Sequence, residues 1–191
     1  MIDIAIFASG TGSNFVNLVK NKELKDYCNI RILICDNPNA KVIERAIDLN
    51  IDTFVFNPKE YNSKKKYEDI ILDKVMDTDY IVLAGYMRIL SSYFLEKYHG
   101  KIINIHPSIL PLYKGINSIE RAYNNKDSEI GVSIHYVNEE VDGGEILAQD
   151  KFKVDYKESL DEVTNRVHQL EHRLYPETLI NIFKEYKWKR H

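Results

Sequence analysis

Short apolar runs rich in Ile and Val recur through the N-terminal part of the chain, at Ile2–Ala8, Ile30–Cys35, Thr53–Phe56, Tyr80–Ala84 and Ile102–Ile105. They are continuous rather than alternating, so each reads as a strand covered on both faces. The segments between them carry helical spacing, as in Tyr67, Ile70, Ile71 and Val75. Strand and helix in alternation specify an α/β protein with a mostly parallel sheet between helices. Beyond about residue 115 the pattern changes: a polar helix, a run Ile130–Val137, a turn-like stretch Asn138–Gly144 and a second run Ile146–Phe152. This reads as an antiparallel hairpin added to the sheet. The closing helix opens with a capping box, Ser159 to Glu162, and carries Leu160, Val163, Val167, Leu170 and Leu174 on one stripe. Pro176 is expected to interrupt it, having no N–H to give.

No Pro-, Gly- or Ser-rich linker divides the 191 residues, so a single domain spanning 1–191 is expected. Lys and Arg number 26 against 29 Asp and Glu, a formal net charge of -3. That balance gives no general attraction for nucleic acid or an anionic membrane, and any anion site has to be local. Cys28 and Cys35 have neither a disulfide framework nor metal-ligand spacing and read as core thiols of a reducing compartment. No apolar run approaches the ~18 residues that span a bilayer, and the opening residues show no signal pattern. A cytoplasmic location is the expectation.

Directly after the first strand stands Ser9-Gly10-Thr11-Gly12-Ser13-Asn14, followed by a helix-compatible segment from Phe15 to Lys20. Glycines let backbone approach an anion, a helix N-terminus presents unpaired N–H groups, and Ser13 and Asn14 add donors. A dinucleotide fingerprint would need Gly where Phe15 stands, and a P-loop would need a Gly-Lys-Ser/Thr that is absent. A monophosphate suits the loop better. Asp36, near the end of the second strand, is the one feature favouring a nicotinamide cofactor. The plain alternative is a tight turn with Ser13 capping a helix.

The second constellation is Asn104-Ile105-His106-Pro107-Ser108. Period-two geometry points Asn104 and His106 to one side at the end of an apolar strand, where α/β sheets bind ligands. An amide and an imidazolium are both donors and together suit an oxygen that gains negative charge when a nucleophile adds to a carbonyl. Val141-Asp142-Gly143-Gly144 offers an acid, Asp142, to orient the imidazole. A satisfied core histidine and an ordinary turn acid are the competing readings.

These segments, together with Leu83-Ala84-Gly85-Tyr86-Met87-Arg88-Ile89-Leu90 and Glu171-His172 with Tyr175-Pro176, occur in an order that resembles the folate-dependent formyltransferase family over nearly the whole chain. The glycine loop and the Glu171 segment resemble its phosphoribosylglycinamide branch. The resemblance implies a Rossmann-like formyltransferase fold, with about 1–100 as a phosphate-binding half and about 101–191 as a catalytic and folate-binding half. It implies that Asn104, His106 and Asp142 carry formyl transfer, His106 kept charged by Asp142 and polarising the formyl oxygen beside the Asn104 amide. Gly12, Ser13 and Asn14 would hold a ribonucleotide phosphate, and Glu171 the ribose hydroxyls. The cosubstrate 10-formyltetrahydrofolate would lie against Met87, Arg88, Ile89, Leu90, Asn104, Glu140, Val141 and Asp142, with Lys64 near its glutamate tail. The partners implied are small molecules, not nucleic acid or membrane, and the chain would work as a monomer or homodimer.

One departure stands out: the family usually has a His where this chain has Asn117, so Asn117 is left out of the catalytic set. His168-Gln169-Leu170-Glu171-His172 matches a zinc-hydrolase pattern literally, but no third ligand segment is evident and no metal is expected. A methionyl-tRNA enzyme would need an RNA-binding domain and a deformylase an N-terminal regulatory one. A sugar-nucleotide N-formyltransferase is the nearest rival, and a folate- or nucleotide-binding module without turnover the rival of another class.

Overall fold

The structure, a computed structural model, describes residues 1–189, with side chains through residue 185. Each apolar run becomes a strand: β1 (Ile2–Phe7), β2 (Cys28–Cys35), β3 (Thr53–Val55), β4 (Tyr80–Leu83), β5 (Lys101–His106), β6 (Glu129–Tyr136) and β7 (Ile146–Lys153). They form one sheet in the order β3-β2-β1-β4-β5-β6-β7. The pairs from β3 to β5 are parallel, and β6 and β7 continue the sheet antiparallel. Helices α1 (Ser13–Lys20), α2 (Val42–Asp48), α3 (Lys64–Val75), α4 (Ser92–Lys97), α5 (Ser118–Asn124) and α6 (Leu160–Lys189) complete the chain.

The side-chain alternation of β1 shows why the runs had to be continuous. Ile4, Ile6 and Ala8 enter one core with Phe15 of α1, Val42 of α2 and Val163, Val167 and Phe183 of α6. Ala5 and Phe7 enter a second core on the opposite face, with Ile71 and Val75 of α3 and Phe94 of α4. A strand apolar on one side only would leave one of these layers undocked. Each fully buried side chain of this size contributes roughly 1.5–3 kcal/mol. The two cysteines are buried; burial, with Asp3 adding to it, pushes the Cys28 thiol up to about 12.

Chain order places the site. From β1 the sheet grows outward to β2 and β3, then returns to add β4 and β5 on the other side. The connections leaving the carboxyl ends of β1 and β4 therefore diverge and open a crevice between them.

The C-terminal helix corrects one expectation. Ser159 and Glu162 form the capping box, the Ser159 N–H donating to Glu162 Oε2 at 2.7 Å and the Glu162 N–H to Ser159 Oγ at 3.3 Å. Yet α6 runs on through Pro176 without interruption. Proline deprives the His172 carbonyl of its i+4 donor. The Asn17 side-chain amide of α1 fills that gap, donating to the His172 carbonyl at 2.7 Å. An unpaired carbonyl is a main cost of an internal proline, and a distant side chain removes it.

Candidate active site

A cleft of about 580 Å³ lies along the carboxyl ends of β1, β4 and β5. It is lined by the glycine loop, the 83–90 segment, Asn104 to Pro107, the 115–118 loop, His135, the 137–142 turn, His168 and Glu171. Segments on both sides of residue 100 contribute, because β4 pairs with β5 and α6 packs beside α1.

At one end, Gly12 is the N-cap of α1 at φ 77, a left-handed conformation, and no side chain caps the helix. A Cβ at position 12 would run into Val42 of α2. Glycine is therefore required twice over, by dihedral and by space. Ser13 is the first helical residue rather than the cap, which corrects the plain alternative read from the sequence. Gly12, Ser13 and Asn14 line the cleft, and no acidic side chain lies in the first turn of α1. Asn14 is buried, its Nδ2 lies 3.4 Å from Glu171 Oε2, and its Oδ1 has no partner. Glu171 also accepts a hydrogen bond from His168 Nδ1 at 2.9 Å. That bond raises the His168 pKa above 6.5 despite the opposing effect of burial. Two of the three residues of the zinc-like pattern, His168 and Glu171, thus bond each other.

In the middle, β5 and β6 pair so that Asn104 stands directly opposite His135. The turn after β6 folds back and lowers Asp142 onto both strands. Asp142 Oδ2 accepts the Gly115 N–H at 2.8 Å and lies 3.5 Å from His106 Nδ1, while Oδ1 lies 3.5 Å from Asn104 Nδ2 and from His135 Nε2. Asn104 and His106 meet one carboxylate, as the period-two reading requires. Burial pushes the Asp142 carboxyl up, but hydrogen bonds from His135 and Gly115 and the charge of the two imidazoles outweigh it, and its pKa lies below 3.8. Such an acid stays ionised and can orient and stabilise an imidazolium. His106 Nε2 faces the Tyr113 carbonyl at 3.0 Å, so both ring nitrogens face oxygen acceptors, which the doubly protonated ring satisfies on both sides.

The positive φ of the turn falls on Asp142 itself, at 50°, not on the glycines that follow it. Gly144 is needed for closeness instead: a Cβ there would overlap the Tyr136 carbonyl.

At the other end, the 86–90 segment forms a wall pinned from several elements. The Met87 N–H donates to Ser9 Oγ at 2.9 Å, and Arg88 Nε to Asp36 Oδ2 at 2.8 Å. Asp36 is thereby engaged as the anchor of Arg88 rather than left free for a ribose. Buried Glu68 accepts the Ser91 N–H at 3.0 Å and also bonds the Ser91 hydroxyl. Met87 and Ile89 present their side chains to solvent, whereas Leu90 is buried. Across the cleft, Glu140 is held by Lys114 at 2.6 Å, and Val141 is exposed. Lys64 does not line the cleft; its ammonium donates to the Ile89 carbonyl at 2.5 Å from behind the wall. Asn117 caps α5 through its backbone at φ 54, in the cleft but bonded to none of the three central side chains.

His135 is the residue that sequence reasoning missed. Inside the apolar run Ile130–Val137 it reads as core, and it is indeed 2% exposed. Its importance arises from cross-strand register, which one strand cannot reveal.

An α/β enzyme with an amide, two imidazoles and one ionised carboxylate converging at a switch-point cleft is the class defined by this fold and site. Residues 2–179 match the family described as formyl transferase. The chain is 40% identical over 182 residues to phosphoribosylglycinamide formyltransferase of Bacillus subtilis (strain 168), covering 94% of this chain and 93% of that protein. It is 34% identical to the Escherichia coli (strain K12) protein of the same name, covering 100% and 91%. The crystal structure of glycinamide ribonucleotide transformylase 1 from Geobacillus kaustophilus superposes with a TM-score of 0.91 at 43% identity, over 96% of this chain and 99% of that one. The chain belongs to the formyl transferase family and is a formyltransferase enzyme.

Proposed function

We propose that this enzyme transfers the formyl group of 10-formyltetrahydrofolate to the amine of 5'-phosphoribosylglycinamide, a step of purine biosynthesis. The observation that carries the acceptor is the uncapped α1 N-terminus behind Gly12, with Asn14 and Glu171 beside it. Its N–H groups suit a phosphate, and the Glu171 carboxylate suits ribose hydroxyls. The cleft, with the Met87–Leu90 wall on one side and Glu140–Asp142 on the other, has the size and the apolar rim for a pterin. When bound, the folate supplies the formyl group; the protein holds the charges. Asn104 and His106 donate to the formyl oxygen as the amine adds to its carbon. Donation from His106 requires Nε2 to leave the Tyr113 carbonyl, so the 113–117 loop gives way to the substrates. Asp142 orients the imidazole and takes part, through water, in moving the proton from the amine to the departing folate nitrogen.

Arg88 and Lys64 hold the wall. Small molecules are the only partners in this reading, and the chain works in the cytoplasm as a monomer or homodimer. No helix among the described residues is long and apolar enough to cross a membrane. The test is a formyl-transfer assay with 10-formyltetrahydrofolate, offering 5'-phosphoribosylglycinamide or an amino-sugar nucleotide to the wild type and to His106→Ala. Turnover with the ribonucleotide alone, abolished in the variant, is expected. Turnover with the amino-sugar nucleotide alone would reassign the acceptor.

A further inference from the structure

The break that Pro176 makes in α6 is closed by a residue of α1. Two successive turns of α1 grip two consecutive residues of α6: Asn14 Nδ2 lies 3.4 Å from the Glu171 carboxylate, and Asn17 Nδ2 donates to the His172 carbonyl at 2.7 Å. Residues three apart lie on one helix face, so both contacts belong to a single docking edge. The Asn14 contact is the weaker of the two, and Asn14 is also a proposed ligand of substrate. The Asn17 contact is short, joins a half-buried side chain to backbone, and satisfies a carbonyl whose i+4 donor Pro176 removes.

Resting on the function proposed above, we infer that Asn17 is a positioning residue for the ribonucleotide site. It docks α6 at its proline break onto the helix whose N-terminus receives the phosphate, and so fixes the separation between that N-terminus and Glu171. Phosphate and ribose of one substrate have to be met at once, and an offset of about 1 Å in such a pair is costly. The folate wall and the Asn104–His106–Asp142 centre lie on other elements and do not depend on this contact.

The test is a thermodynamic cycle. Asn17→Ala removes the donor. Pro176→Ala restores a helical N–H to the His172 carbonyl from within α6. Asn17→Ala is expected to raise KM for 5'-phosphoribosylglycinamide about tenfold, with kcat and KM for the folate within about twofold. In the Asn17→Ala/Pro176→Ala double variant the His172 carbonyl is paired within α6 but the link to α1 is still missing, so the ribonucleotide KM stays about tenfold above wild type. Binding of ribose 5-phosphate, measured calorimetrically, follows the same pattern without catalysis. Asn17→Leu, close in size and without a donor, behaves as the alanine variant and serves if the double variant does not fold. Unchanged ribonucleotide KM in both single Asn17 variants, parallel loss of all kinetic constants, or a double variant restored to wild-type KM, which would trace the effect to the unpaired carbonyl and not to docking, would each overturn the inference. A wild type that formylates no ribonucleotide would overturn the function on which it rests, which is a separate outcome.

Discussion

In the proposed reaction Asp142 carries the most chemistry of any single residue. Its folded pKa lies below 3.8, so its interactions contribute stability above that value and lose it as pH falls through the folded pKa. Asp142→Asn is expected to lower kcat by at least about 100-fold, because the amide cannot hold a charged imidazole, and to flatten the acid limb of the urea-midpoint profile between about pH 4 and 3. An activity loss of less than tenfold would remove Asp142 from the reaction. His168 behaves in the opposite sense. Its folded pKa is raised above 6.5, chiefly by the bond to Glu171, so the stability it contributes is fully present below pH 6.5 and is lost as pH rises through the folded value. The difference in urea midpoint between wild type and His168→Gln should therefore shrink as pH rises from about 6 to about 8; a constant difference would show that the pair does not titrate. Gly12→Ala combines a left-handed φ, costing about 1–2 kcal/mol, with collision against Val42. It should weaken the ribonucleotide site in kinetics and lower the thermal midpoint.

The elements were legible to different degrees. All seven strands stand where the apolar runs place them, within about two residues; the central strands, buried on both faces, advertise themselves by composition, whereas the edge strands β3 and β7 contain no buried residue. Pro176 misled for a physical reason: the rule against internal proline concerns the helix by itself, and the compensating donor comes from Asn17, 159 positions earlier than Pro176. Glu68 was equally silent. A glutamate at that position reads as the solvated face of a helix, whereas its carboxylate is 1% exposed and binds Ser91, the N-cap of α4. Glu68→Ala should cost about 1–3 kcal/mol in urea unfolding, since it leaves the Ser91 N–H unpaired in a poorly hydrated place. It should also raise the folate KM more than the ribonucleotide KM, because Ser91 directly follows the 86–90 wall; equal effects on both would separate this cap from the wall.

For the molecule as a whole, the sheet has to be clamped to α6 for the two ends of the cleft to keep their spacing. Tyr175, fully buried, is that clamp: its hydroxyl lies 2.9 Å from the Leu83 carbonyl and 3.1 Å from the Ile103 carbonyl, at the ends of β4 and within β5. Burial, with Glu171 adding to it, keeps the phenol protonated far above its usual range. Tyr175→Phe should cost about 1–3 kcal/mol of stability by unpairing buried carbonyls, measured by urea unfolding, and a change under 0.5 kcal/mol would show that the carbonyls find other partners. By itself the sequence determined the layered α/β architecture and marked the glycine loop, Asn104, His106 and Asp142 as candidates, because periodicity and short motifs are local and each reports its own environment; Glu171 was singled out only through the family resemblance. Only the tertiary structure decided that His135 stands opposite Asn104, that Asp36 anchors Arg88, that Lys64 supports the wall from behind and that Asn17 repairs the break at Pro176. Those facts depend on register and on which faces of distant elements meet, and such distances are set by packing the whole chain at once.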